Sequence, residues 1–232
     1  AKMAPAVDWK RYFDAIGAPV SAVNVDQPSY LAALDAMING IGIVDWRRYL
    51  RFHLLDAYAA FLPARFEDAR FAFHDKVLSG IQQPRERWKR GVTLVNGAVG
   101  EITGQMYVEA YFPASAKQRV QVLVANLLRA YDQSIDTLAW MTPATRSEAR
   151  RKLAAINVKI GYPDKWRDYS ALEIQPDDLV GNVRRAALFE QRRQLAHLGQ
   201  PVDRGEWHLT PQTVNAYYSP LMNEIVFPAA IL

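Results

Sequence analysis

Val214-Asn215-Ala216-Tyr217-Tyr218, then Ser219-Pro220-Leu221-Met222-Asn223, then Glu224-Ile225-Val226-Phe227-Pro228-Ala229-Ala230-Ile231-Leu232: the reading of this stretch decides the fold class. Its first five residues alternate. Val214, Ala216 and Tyr218 fall on one face of an extended chain and Asn215 and Tyr217 on the other, a period of two. Ser219 to Asn223 carries turn chemistry, and Glu224 to Phe227 reads as a returning strand. A β-hairpin is predicted, and the alternating pattern reaches back only to about Pro201.

Upstream the period is helical. From Val7 to about Ile174, apolar residues recur at three and four, which predicts a mainly α fold: a helical domain over 1–174, with a domain change near Pro176 and a mixed α/β part over 175–232 that carries the hairpin. One helix starts near Asp8 and stops at Gly17 and Pro19. Ser29 and Asp45 stand as N-caps before two further apolar stripes. Pro63 marks a break, and apolar residues then continue to Gly80.

Trp88 to Tyr111 is apolar-rich but interrupted by Gly91, Gly97, Gly100 and Gly104, which predicts close helix contacts or bends. Ser115 to Trp140 carries a continuous stripe from Val120 to Leu138. Thr142-Pro143 supplies a capping hydroxyl and a first-turn proline for the next helix, which Gly161-Tyr162-Pro163 stops. Trp166 to Pro176 reads as a loop, and Pro176-Asp177-Asp178 opens another helix to Gly199.

Composition narrows the chemistry. Of the 232 residues, half are apolar and none is cysteine, so the chain can bury a core but holds no disulfide, thiolate metal site or cysteine nucleophile. No apolar run approaches the roughly 20 residues that span a bilayer, and Ala1 to Pro5 lacks the apolar core of a signal peptide. The net charge of +4 comes with arginine clusters at Arg47-Arg48, Arg85 to Arg90, Arg150-Arg151-Lys152 and Arg184-Arg185. These are interspersed with acids at helical spacing, the pattern of a solvated helix face, so no nucleic-acid partner is expected.

The wording of the hairpin is more specific than its period. Val-Asn-Ala-Tyr-Tyr, a short turn and Asn-Glu-Ile-Val-Phe-Pro-Ala-Ala-Ile-Leu closely resemble the segment before the zinc-binding helix of the neprilysin family of metalloendopeptidases. Further matches precede it in order: Val99-Gly100 with Met106 to Phe112, Trp140-Met141 with Thr145, Ala149 and Lys152, Lys159-Ile160-Gly161-Tyr162-Pro163, and Pro201 to Trp207. Ala230 departs, standing where many relatives have glycine. The resemblance implies a helical domain and a catalytic domain facing an internal chamber, with this chain spanning most of the former and the start of the latter, truncated at both ends.

It also implies zinc in the full-length protein, and none bound by this chain. The usual helical zinc site is H-E-x-x-H, two imidazoles on one helix face, and the four histidines, His53, His74, His197 and His208, do not form it. His53 and His74 lie in or beside apolar helical stretches, where a hydrogen-bonded packing role is expected, and His197 and His208 read as surface residues. No catalytic or metal-binding residue is therefore assigned, and the chain alone is expected to be inactive.

What the resemblance does assign is substrate binding. An endopeptidase must hold many sequences by their shared backbone, and adding the peptide to a sheet edge does so. Asn215 and Ala216 take that role, and Ile231 matches a residue lining the pocket for the apolar side chain after the scissile bond. Read without the resemblance, Asn215 would be a turn or edge asparagine satisfied by its own backbone, and Tyr217, Tyr218, Phe227 and Ile231 would be core.

The parent is thus expected to be a zinc-dependent metalloendopeptidase acting on oligopeptides, in a periplasmic or extracellular bacterial setting, with the cytoplasm as the alternative. The competing function is a non-catalytic helical module that binds a peptide or protein. Ending before the zinc helix should also leave Val226, Phe227, Ile231 and Leu232 uncovered, which predicts self-association through that end.

Overall fold

The computed structural model describes residues 2–18 and 20–232. Its helices are α1 (Trp9–Ile16), α2 (Pro28–Gly40), α3 (Ile43–Tyr58), α4 (Ala64–Arg70), α5 (Arg87–Tyr111), α6 (Ala114–Thr137) and α7 (Pro143–Ala154). Strand β1 (Asn157–Gly161), helix α8 (Leu179–Leu195) and strands β2 (Tyr217–Ser219) and β3 (Glu224–Pro228) follow. The chain is mainly α, as expected, and 59% of the described residues are helical.

Two compact units interleave along the sequence. The first comprises 1–86 and 172–200, the second 87–171 and 201–232. The first unit is entirely helical in its regular elements. α1 begins where the Asp8 carboxylate accepts from the Arg11 N–H at 3.0 Å, and ends where the Gly17 N–H returns to the carbonyls of Asp14 and Phe13. The expected stop at Pro19 lies outside the described residues. α4 starts after Pro63 and runs directly into a π-helical turn over Phe71–Val77. α8 opens after Pro176-Asp177-Asp178 as expected, and Asp178 caps it by accepting from the Gly181 N–H at 3.0 Å.

Two expected starts are corrected. α2 begins at Pro28, whose fixed φ suits the first helical position, so Ser29 lies inside the helix rather than capping it. α3 begins after Gly42, and Asp45 sits in its first turn, where a carboxylate favours the positive end of the helix dipole and pairs with Arg48 at 3.1 Å.

The second unit holds the sheet. α5 departs from helical geometry at Val99, with φ −136° and ψ 41°. There the Gln212 amide inserts, donating to Asn96 Oδ1 (3.0 Å), the Gly100 carbonyl (3.0 Å) and Thr103 Oγ1 (2.8 Å). A side chain entering the hydrogen-bond ladder is an ordinary cause of a kink. Gly100 and Gly104 are buried against this same loop, and a Cβ at Gly104 would stand 2.6 Å from Pro211 Cδ. The contacts expected of the glycines are therefore made by these two, while Gly91 and Gly97 face open space.

α6 ends at Thr137, three residues short of the expected Trp140, and of its apolar stripe Val124 and Ile135 are buried while Leu123, Leu127 and Tyr131 are exposed. Its neighbour α7 is capped by Thr142, whose hydroxyl accepts from the Thr145 N–H at 3.2 Å ahead of Pro143. Thr142→Ala is expected to cost about 1 kcal/mol, seen as a lower urea midpoint with an unchanged slope.

The sheet has the order β1-β3-β2. β1 runs parallel to β3 in the register Asn157↔Glu224 to Gly161↔Pro228, and β2 runs antiparallel to β3 with Tyr217↔Val226 and Ser219↔Glu224. The hairpin is as expected. The strand β1 is not: Gly161 ends a strand rather than stopping a helix, because α7 finishes at Ala154 and the backbone then pairs with a partner 67 residues away.

Candidate functional site

Among the described residues β3 is the middle strand and β2 has a partner on one side only, so β2 is a sheet edge. The ladder begins at Tyr217, so Asn215 and Ala216 lie immediately before the strand rather than within it. Their approach is a run of tight turns: the Thr213 N–H donates to the Thr210 carbonyl and the Asn215 N–H to the Thr213 carbonyl, each at 3.0 Å. Through Gln212 this run is anchored to the α5 kink. Asn215 Oδ1 accepts from the Ala216 N–H at 2.8 Å, so the asparagine satisfies the adjacent backbone itself.

Ile231 lies in a single 3₁₀ turn, Ala229–Ile231, that follows β3 and is 45% exposed. The Ala230 N–H donates to the Pro211 carbonyl at 2.9 Å, which ties this turn to the loop leading into Asn215. Leu232 is also exposed, but Val226 is fully buried. The expectation that Val226 is uncovered is thus corrected: it points from the central strand into the unit's own core.

Beneath the edge lies a polar network that sequence reasoning did not single out. Glu224 is fully buried at the head of β3, and Lys159, on β1, is 6% exposed. Their ion pair spans 2.8 Å. Asn157 Nδ2 also donates to Glu224 Oε2 (3.2 Å), and the Tyr217 hydroxyl donates to Oε1 (3.2 Å). Lys159 Nζ and Asn157 Nδ2 reach further, to the carbonyls of Glu206 (2.5 Å) and Arg204 (3.0 Å). The available signal was a glutamate opening an apolar strand and a lysine alternating with Val158 and Ile160.

Burial alone would raise the Glu224 carboxyl, but its hydrogen bonds to Lys159, Asn157 and Tyr217 together outweigh it and hold the carboxyl below its ordinary value. Burial, aided by the neighbouring Glu224 charge and opposed by a backbone hydrogen bond at His208, pushes the Tyr217 hydroxyl up to about 12. Tyr217 therefore keeps its proton and Glu224 its charge at neutral pH.

The histidines do not converge. His74 Nε2 meets Asp56 Oδ1 at 2.9 Å in the packing role expected, whereas His53 is exposed, with its ring 4.3 Å from that of Tyr49. His197 and His208 are exposed. Among the described residues there is no group of three or more His, Asp or Glu that could hold a metal ion. Several arginines of the basic clusters pair with acids, Arg150 with Asp132 at 3.0 Å and with Asp136, and Arg185 with Asp178 at 3.0 Å. No helix of the described residues is long and apolar enough to cross a membrane.

Comparison with known proteins identifies the family. A model of Peptidase family M13 matches residues 1–163. Rat endothelin-converting enzyme 1 is 33% identical over 99% of this chain, and human neprilysin 32% identical over 90%. The chain spans about a third of the length of these relatives. Among solved structures, the zinc metalloprotease Zmp1 of Mycobacterium tuberculosis in complex with an inhibitor superposes with a TM-score of 0.89 at 45% identity, covering 99% of this chain and 35% of that one. PepO from Lactobacillus rhamnosis superposes with a TM-score of 0.82 at 29% identity, over 100% of this chain and 40% of that one. The chain belongs to peptidase family M13, the family of zinc metalloendopeptidases that includes neprilysin and endothelin-converting enzyme 1.

Proposed function

We propose that the protein to which this chain contributes hydrolyses oligopeptides with zinc held by residues outside this chain, and that the chain supplies a wall of the substrate cleft. In this reading 1–174 is the helical chamber-forming domain and 175–232 the beginning of the catalytic domain. The observation that carries it is the edge position of β2, with Asn215 and Ala216 leading into it. A peptide laid along that edge takes over the Ala216 N–H with one of its carbonyls. That frees the Asn215 amide, which can both donate and accept, to pair with the next peptide unit. Ile231, exposed in the turn tied to the same loop, lines the pocket for the apolar side chain following the scissile bond.

In the full-length protein, Asn215→Ala should raise KM for an internally quenched peptide about three- to tenfold, the worth of one or two hydrogen bonds. Absence of any zinc-dependent cleavage by the full-length protein would favour the alternative, a module that binds peptides without cutting them. The cysteine-free composition suits an exported bacterial protein made without disulfides, and cell fractionation tests the periplasmic or extracellular setting.

A further inference from the structure

We infer that the buried Lys159–Glu224–Tyr217 network is a positioning device for the peptide-binding edge, with Tyr217 as the positioning residue that holds Asn215 and Ala216 in register. This rests on the function proposed above. β2 has only three residues, each paired on one side, and so short an edge has little ladder to oppose a slip. A slip of one residue would exchange the faces of every side chain from Val214 to Ser219, turning Asn215 over. Tyr217 follows Ala216 directly, and its hydroxyl is tied to a carboxylate that cannot move, since Glu224 is fully buried and accepts from both β1 side chains.

All three strands contribute to the network. Asn157 and Lys159 project from β1, Glu224 from β3 and Tyr217 from β2, and the two β1 side chains also grip the Arg204 and Glu206 carbonyls. A buried ion pair is a poor source of stability compared with apolar residues of the same volume, and its best-attested use is to specify one arrangement over its near alternatives. Here the arrangement specified is the register of the strand end that would meet the substrate. The other charged or titratable groups around Tyr217 are Glu206 and His208, whose ring lies 6.1 Å from the tyrosine ring.

The test is a double-mutant cycle in the full-length protein, read as KM and kcat on an internally quenched peptide, with the thermal midpoint recorded for each variant. Tyr217→Phe removes one oxygen and keeps the ring. It should raise KM about three- to tenfold with kcat within about twofold, and added to Asn215→Ala it should raise KM little further, because both act on the same contact. Unchanged KM in Tyr217→Phe overturns the inference. So do effects that multiply in the double variant, or a fall in kcat that merely tracks a lowered midpoint. If Asn215→Ala is itself without effect, the substrate-edge reading fails first and takes the inference with it. If Asn215→Ala raises KM and Tyr217→Phe does not, only the inference fails.

Discussion

Lys159→Met should destabilise the chain by about 3–5 kcal/mol, the usual result of removing one partner from a buried pair. The side chain lost is 6% exposed and the carboxylate left behind is fully buried. Asn157 and Tyr217 still donate to Glu224, but neither carries charge. The pH dependence has a definite sign. In the native chain the Glu224 carboxyl is held below its ordinary value of 4.5, so its contribution to stability is fully present above that value and is lost as pH falls through the folded one. In Lys159→Met, burial without the ammonium raises the carboxyl instead, so its penalty grows as pH rises above the ordinary value. Urea titrations at pH 7 and pH 4 should therefore show the deficit shrinking toward acid. Lys159→Met with Glu224→Gln should recover much of the loss at pH 7, since the buried charge is gone and the amide oxygen still accepts from Asn157 while its NH2 can donate to the Tyr217 hydroxyl oxygen. Equal deficits at both pH values would count against a buried ion pair.

Gly161→Ala should cost about 2–5 kcal/mol, from two causes that can be separated. Gly161 has φ +78°, a conformation that costs an L residue roughly 1–2 kcal/mol. A Cβ there would also stand 2.6 Å from Phe112 Cε1, and Phe112 is 6% exposed with its ring set edge-on to that of Tyr162. Crowding a packed ring adds about 1–3 kcal/mol. Gly199→Ala is the control: φ is +74° and the space is open, so it should show the backbone cost alone. The difference between the two urea midpoints reads out the Phe112 contact, and no difference would mean that the ring yields freely.

The helices and the hairpin were legible because their signals are local. Asp8, Thr142 and Asp178 each cap a helix by a bond to a backbone N–H three residues on, and Val214 to Phe227 announces its turn within 14 residues. β1 was not legible, since a five-residue segment paired with a strand 67 residues later has no neighbour in sequence to reveal it. Lys159 in its middle reads as a surface residue until Glu224 is placed beside it. The stripe on α6 shows the other limit: periodicity names a face, and Val124 is buried while Leu123 and Leu127 are not. At the site, Asn215 and Ala216 were reached through the wording of the hairpin. Period alone would have left Asn215 as an asparagine bonded to its neighbour, a contact it does make.

The interleaving of the two units bears on how the chain is made. Residues 1–86 cannot complete their unit until 172–200 have been synthesised, and 87–171 must then wait for 201–232. The central strand is the last of the three in chain order, so β1 and β2 emerge from the ribosome with no partner in the sheet. Long-range parallel pairing is intrinsically slow, and the apolar residues of β1 remain open to wrong partners throughout that interval. Neither unit can be cut out as one continuous piece of gene, so dissecting the molecule calls for circular permutation or two-fragment complementation rather than simple truncation.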